Sequence, residues 1–279
     1  MREISYKIEN LSCSYRNGKE VLRIKNIAIP DKKLIILLGK SGSGKSTFLE
    51  ILGLMNNTIC RGDVIFYPEN GKTEISFVSL WASMNLKEVA KIRNDYFSFI
   101  FQNTNLMPNF SAYENALISE LIGGASLDHA AKKVTSLLNE LGLGEITYAR
   151  KASEMSGGQK QRIAFIRAIA SRFKILFGDE PTGNLDDFNS RELINFLKKY
   201  IMNNNKTAII VSHNVNLSME FGDIIMVLTK SPDKNGVCEL LSDNVFSRSE
   251  MADTWMNHNH ASYTSSELSS KIQSLLCAV

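Results

Sequence analysis

Little in this chain points to a covalent or metal framework. Its 279 residues include four cysteines, Cys13, Cys60, Cys238 and Cys277. They form no C-x-x-C pair and lie far apart, which argues against a disulfide scaffold or a zinc site and for free thiols in a reducing compartment. Long apolar runs are also missing. The runs at 34–38 and 224–228 fall far short of the roughly 18 residues that span a bilayer, and Met1-Arg2-Glu3-Ile4-Ser5 lacks a signal peptide's apolar stretch, so a cytoplasmic chain is expected. Neither sign of charge dominates. With 32 Lys and Arg against 29 Asp and Glu, the net charge of +3 leaves little footprint for nucleic acid or anionic lipid. No repeat of about 20 to 50 residues and no low-complexity tract occurs, which argues against solenoids and disordered linkers. What remains is 44% apolar content, enough for one large packed domain or two small ones.

The apolar residues are distributed in a pattern. Tyr6, Ile8 and Leu11 alternate, Asn17-Gly18 signals a turn, and Val21-Leu22-Ile24 resumes, predicting an antiparallel hairpin. Leu34-Ile35-Ile36-Leu37-Leu38 is continuously apolar, as a strand covered on both faces would be. Similar runs recur at Ile175-Leu176-Phe177 and Ala208-Ile209-Ile210-Val211, each after a helical stretch, 162–172 and 191–202. Alternating helices and buried strands predict a parallel α/β core. Residues 103–155 read as mostly helical, a subdomain inserted into that core. The expected division is one domain over 1–242 and a polar extension over 243–279. In the extension Leu268, Ile272, Leu275 and Leu276 form a stripe if helical.

One loop carries a phosphate-binding pattern. Gly39-Lys40-Ser41-Gly42-Ser43-Gly44-Lys45-Ser46 matches G-x-x-x-x-G-K-[ST] between a buried strand and a helix that begins near Ser46 and runs on through Thr47. Glycines let successive N–H groups turn inward on phosphate oxygens, the helix N-terminus adds a positive dipole end, and Lys45 adds a point charge. The Ser46 hydroxyl suits Mg²⁺.

A second segment narrows the class. Met155-Ser156-Gly157-Gly158-Gln159 opens a helix and resembles the signature Leu-Ser-Gly-Gly-Gln of the ATP-binding cassette (ABC) family, with methionine at the first apolar position. Ser156 and two glycines at a helix start form an anion site without a lysine of its own; a plain helix N-cap is the alternative. The resemblance implies a P-loop ATPase core with an antiparallel β subdomain and an inserted helical subdomain. It also implies head-to-tail dimers in which the signature of one subunit, Ser156 to Gln159, closes over ATP held by the P-loop of the other.

The family's remaining elements map onto matching residues over about 4–241. Asp179 after Ile175-Leu176-Phe177-Gly178 resembles the Walker B aspartate that holds Mg²⁺. Glu180 resembles the base acting on the attacking water, and His213 resembles the switch histidine. Gln102 resembles the glutamine that reaches metal and water, Asp186 in Gly183-Asn184-Leu185-Asp186 resembles the D-loop aspartate, and Tyr15 fits the aromatic that stacks on adenine. A tyrosine beside a hairpin turn is also ordinary packing. His129, His258 and His260 are read as structural.

Phe101-Gln102-Asn103-Thr104-Asn105-Leu106-Met107-Pro108, Tyr113-Glu114-Asn115 and Asp179-Glu180-Pro181-Thr182 look most like the group that serves lipoprotein release, macrolide efflux, antimicrobial-peptide export and cell division. That likeness implies ATP and Mg²⁺ as cofactors. The implied partners are a transmembrane permease and a second ABC ATPase, identical or paralogous, without nucleic acid, at the inner face of the cell membrane. The alternative is a soluble ABC ATPase acting on nucleic acid or ribosomes. It is disfavoured because one cassette is present and only about 110 residues separate Ser46 from Ser156, with no heptad coiled coil between them. Segment 67–94, with Lys72-Thr73-Glu74, Trp81 and Met84, is longer than the family's usual connection.

Overall fold

Strands buried on both faces must be apolar throughout, and the computed structural model, which describes residues 4–15, 18–69, 73–144, 148–231, 236–249 and 253–277, contains such a set. Every residue is buried in β4 (Leu34–Gly39), β8 (Ile175–Gly178) and β9 (Thr207–Val211). With β7 (Phe97–Ile100) and β10 (Ile224–Lys230) they form a parallel array in the order β10-β4-β9-β8-β7.

An antiparallel group adjoins this array. β1 (Ile4–Ser14) pairs with β2 (Glu20–Ile24), β3 (Ile27–Pro30) and β5 (Ile59–Phe66), and β5 pairs with β6 (Ile75–Ser76). β11 (Cys238–Leu240) joins the two groups by pairing with both β2 and β10. In the predicted hairpin turn Gly18 has φ +74° and its N–H donates to Tyr15 O at 2.9 Å; Asn17 lies outside the described residues.

Helices cover both faces of the sheet. α1 (Lys45–Leu52) packs with Ile35 and Leu37 on one face. The same cluster includes Phe77, Leu80, Val89 and Ile92 from α2 (Phe77–Ala82) and α3 (Leu86–Tyr96), which fill the long 67–94 connection; Lys72 lies outside the described residues. On the other face Leu34, Ile36 and Leu38 meet α4 (Ala112–Ile122), α5 (Leu127–Glu140), α6 (Gly157–Ala170), α7 (Asp187–Asn203) and α8 (Val215–Phe221). α4 and α5 lie between β7 and β8 in the chain. Among the described residues no helix is long and apolar enough to cross a membrane.

The polar C-terminal segment contains more structure than its composition predicts. β12 (Val245–Arg248) pairs antiparallel with β10, and β13 (Thr254–Asn257), β14 (Ser262–Thr264) and α9 (Ser265–Cys277) follow. Phe246, Trp255, Leu268 and Ile272 are fully buried in the cluster formed by α4 to α8, with Leu275 and Leu276 packed against it. The predicted apolar stripe therefore docks on the chain's own core. Each such ring or aliphatic side chain contributes about 1.5–3 kcal/mol by leaving water.

Candidate functional site at the strand ends

Open parallel sheets bind ligands beyond the carboxyl ends of their strands, where loops leave for the helices. Four neighbouring strands here deliver the predicted residues to that edge. β4 leads into the P-loop, β9 into His213, β8 into Asp179 and Glu180, and β7 into Gln102. Strands that are adjacent in a sheet lie about 4.8 Å apart, so residues distant in sequence become neighbours without any contact being specified by the loops.

The P-loop backbone needs glycine at two turns. Gly42 and Gly44 have φ +74° and +83°, values that L side chains rarely adopt. Gly44 caps α1 in that conformation. Lys45, 6% exposed, turns back so that its Nζ donates to Gly39 O at 2.9 Å and Lys40 O at 2.8 Å. Burial lowers its pKa from 10.5, and the carboxylates of Glu180 and Asp179 oppose that shift. Ser43 Oγ is buried without a hydrogen-bond partner among the described residues and lies against Gly39. Lys40 is half-buried, Ser41 and Ser46 are exposed, and Thr47 is buried. The loop thus presents an unpaired buried hydroxyl and a partly desolvated ammonium, an arrangement suited to phosphate oxygens. Tyr15 hydrogen-bonds Thr47 Oγ1 through its hydroxyl at 2.8 Å and keeps a 44% exposed side chain beside this helix start.

Glu180 is the meeting point of the other strand ends. Its Oε1 lies 2.6 Å from His213 Nε2, and its Oε2 accepts from Gln102 Nε2 at 3.1 Å. Its φ of +47° is uncommon for a residue with a side chain and marks backbone strain held at a working site. Asp179 donates its N–H to Ile100 O at 2.9 Å, pinning the end of β8 to β7. No group of three or more His, Cys, Asp or Glu able to hold a metal unaided exists among the described residues. Mg²⁺ needs only one or two carboxylates when phosphates and water complete its shell, and Asp179, Ser46 and Gln102 are donors of that kind.

The signature occupies a different surface. Ser156 caps α6: its Oγ accepts from Gln159 N at 3.3 Å, and Gln159 Oε1 accepts from Ser156 N at 3.1 Å. Capping leaves Ser156 and Gly157 exposed at the helix start. Gly158 faces Leu185 of the D-loop. Asp186 caps α7, accepting from Asn189 N at 2.9 Å; these bonds hold its carboxyl below the usual range. No hydrogen bond or ion pair among the described residues joins Ser156 to Gln159 with the P-loop of the same chain.

Several contributors were not singled out from sequence. Gln161, 1% exposed, donates through Nε2 to Pro181 O and so ties α6 to the loop after Glu180. Arg167 reaches Thr104 O at 2.7 Å and Asn105 O at 2.8 Å, anchoring the segment after Gln102. Both lie on α6 at positions whose polarity breaks its apolar pattern, the one signal that marks them. Gln102, Leu106, Pro108, Gly157, Lys160 and Asn184 line a groove of ≈ 380 Å³. His129, His258 and His260 are exposed and away from these contacts.

Known proteins resemble this chain in sequence and fold. The ABC transporter family pattern matches residues 22–183. The lipoprotein-releasing system ATP-binding protein LolD of Rickettsia felis is 35% identical over 214 residues, 76% of this chain and 89% of that protein. LolD of Syntrophus aciditrophicus is 38% identical over 202 residues, 72% and 85% of the two chains. The dimeric structure of MJ0796, an ABC transporter cassette, superposes with a TM-score of 0.68 at 32% identity, covering 84% of this chain and 96% of that one. The same protein in a dimeric post-hydrolysis state bound to ADP and Pi also gives a TM-score of 0.68, at 31% identity. MJ0796 is described in Methanocaldococcus jannaschii as an uncharacterized ABC transporter ATP-binding protein, 34% identical over 228 residues. These likenesses extend through the P-loop core and favour a transporter ATPase over the soluble nucleic-acid alternative. The chain belongs to the ABC transporter family, as an ATP-binding and ATP-hydrolysing subunit that works with Mg²⁺.

Proposed function

We propose that this subunit drives a separate transmembrane permease from the inner face of the cell membrane, in export or mechanical work at the envelope of the kind named for the lipoprotein-releasing relatives. Residues 1–242 serve as the nucleotide-binding domain, with 103–155 as its helical subdomain and 243–279 as an extension built onto its sheet. Gly39 to Thr47 cradle the phosphates, Lys45 balances their charge, and Tyr15 stacks on adenine. Ser46, Asp179 and Gln102 would hold Mg²⁺, which would supply neutralisation of the charge on the phosphates. Glu180 orients and deprotonates the attacking water, and His213 fixes that carboxylate and reaches the γ-phosphate. A second subunit, identical or paralogous, supplies Ser156, Gly157, Gly158 and Gln159 over the nucleotide and Asp186 at the seam.

The observation that carries this reading is Gln102, bonded to Glu180 at 3.1 Å and at the same time lining the groove beside Leu106 and Pro108. One residue thus touches both the hydrolytic carboxylate and a surface able to receive a partner helix. Co-expression with candidate transmembrane permeases from the same genome tests the proposal. A stable complex whose ATPase rises above that of the isolated subunit is expected. Stimulation by RNA, DNA or ribosomes with no membrane partner would move the chain to the soluble class.

A further inference from the structure

The segment that follows His213 is short. α8 has seven residues, too few to persist without tertiary support. Its first turn is fixed locally: Asn214 Oδ1 accepts from Leu217 N at 2.9 Å, and Ser218 Oγ donates to Asn214 O at 2.7 Å. Its last turn is fixed mainly from the C-terminal extension. Arg248 Nε donates to Gly222 O at 3.1 Å, and its Nη2 donates to Glu220 O at 3.2 Å and to Met219 O. A helix leaves its last carbonyls unpaired at the negative end of its dipole, and a planar guanidinium there satisfies several at once.

The clamp is itself held in place. The Arg248 guanidinium lies 4.5 Å from the centroid of Trp255, a fully buried ring whose Nε1 donates to Ser265 Oγ at 3.2 Å at the start of α9. The Arg248 N–H donates to Asp223 O at 2.8 Å, and Asp223 Oδ2 accepts from Leu34 N at 2.8 Å. Lys198 on α7 completes the hold by donating to Phe221 O at 2.7 Å. The extension thus grips one end of α8 while His213 precedes the other end.

We infer that Arg248 is a positioning residue for ATP hydrolysis: through α8 it keeps His213 within reach of Glu180, and the C-terminal extension is the brace that holds Arg248. The inference rests on the reading of His213 given above. It applies to turnover, because neither Lys45 nor Tyr15 touches the clamp.

Steady-state ATPase and melting temperature of the full chain test it, with Arg248→Ala and Arg248→Lys each made alone and Arg248→Ala also combined with His213→Ala. Arg248→Ala should lower kcat about tenfold, the scale set by lost capping at a partly buried helix end, with KM for ATP nearly unchanged. Arg248→Lys, which keeps the cation without the fork, should fall between. In the His213→Ala background, single-turnover assays should show no further loss from Arg248→Ala although the melting temperature still drops. Imidazole ¹⁵N resonances give a readout independent of rate, and Arg248→Ala should shift the His213 signal toward that of Glu180→Gln protein. The inference is overturned by equal kcat losses with and without His213, by a change confined to melting temperature, or by an unmoved His213 resonance. Wild-type turnover in His213→Ala alone would sink the reading of His213, and Arg248's role with it.

Discussion

His213 Nε2 sits 2.6 Å from Glu180 Oε1, so the ends of β9 and β8 are joined through the one carboxylate that Gln102 also contacts. Glu180 spends both oxygens on protein partners in this state, and a water held by it must share those bonds. In the proposed function the carboxylate serves proton transfer and orientation, whereas Lys45 serves charge balance with phosphate.

These two roles separate under mutation. Lys45→Ala should remove most ATP affinity, because the buried charge proposed to meet the β- and γ-phosphates is lost. Glu180→Gln keeps the side-chain shape but accepts no proton, so nucleotide binding should persist while turnover falls by about 10²–10⁴-fold. Fluorescent-nucleotide binding measured beside phosphate release distinguishes them; hydrolysis by Glu180→Gln at the wild-type rate would remove Glu180 from the mechanism.

The exposed signature calls for a second subunit. Ser156 and Gly157 stand open at the start of α6, with no bond to the P-loop of their own chain among the described residues. ATP with Mg²⁺ should therefore convert Glu180→Gln protein from monomer to dimer, since bound nucleotide completes the interface and hydrolysis no longer dissolves it. Ser156→Glu should abolish the shift. Light scattering at micromolar protein is the measurement; an unchanged mass on ATP addition counts against homodimerisation and for a paralogous partner.

The pKa of Lys45 adds a pH dependence. Burial lowers it from 10.5 in the free protein, and bound phosphates favour the ammonium and raise it again. ATP binding should then take up protons in the pH range between the lowered and the raised pKa. Affinity should weaken as pH rises through that range. The unliganded fold shows the opposite trend: a depressed lysine pKa is a cost at low pH, relieved as pH climbs through the lowered value towards 10.5. Calorimetry in two buffers of different ionisation enthalpy detects the uptake, and Lys45→Ala should lose it.

The catalytic edge was legible because its elements are extreme. A fully apolar run followed by glycines, such as 34–44, has few foldings, and the sheet then brings Gln102, Glu180 and His213 together by strand order alone. α2 and α3 were harder to see. Their caps, Ser76 and Asn85, do accept from Ser79 N and Glu88 N, but the helices between them are short and carry few buried residues. β12 to β14 each hold three or four residues and β12 and β13 together bury only two large rings, Phe246 and Trp255, too little to register as a period of two in so polar a segment.

The docked tail carries a stability prediction. Leu268 and Ile272 are fully buried on the inner face of α9, so Leu268→Ala or Ile272→Ala should cost about 2–5 kcal/mol each. Chemical denaturation reads the loss as a lower midpoint. Gln273→Ala, on the exposed face, is the control and should leave the midpoint in place. An unchanged midpoint in Ile272→Ala would mean that α9 frays in solution.

The groove beside Gln102 supplies the final test. Met107 and Phe110 remain 40% and 39% exposed on a loop that is rigidly built. Asn115, completely buried, accepts from Met107 N at 2.8 Å and donates to Met107 O, Phe110 O and Ser111 O at 3.0, 3.2 and 3.0 Å. Apolar side chains held out on a fixed loop next to a groove are suited to a partner surface, whereas Leu106 packs partly against the core. Met107→Glu or Phe110→Glu should therefore weaken co-purification with the membrane subunit and uncouple transport, with folding and basal ATPase nearly unchanged. Asn115→Ala should instead destabilise the loop and lower the melting temperature, because it removes four side-chain hydrogen bonds to the loop's backbone. If the glutamate variants unfold, or lose basal ATPase and keep the partner, these side chains belong to the core and the contact surface lies elsewhere.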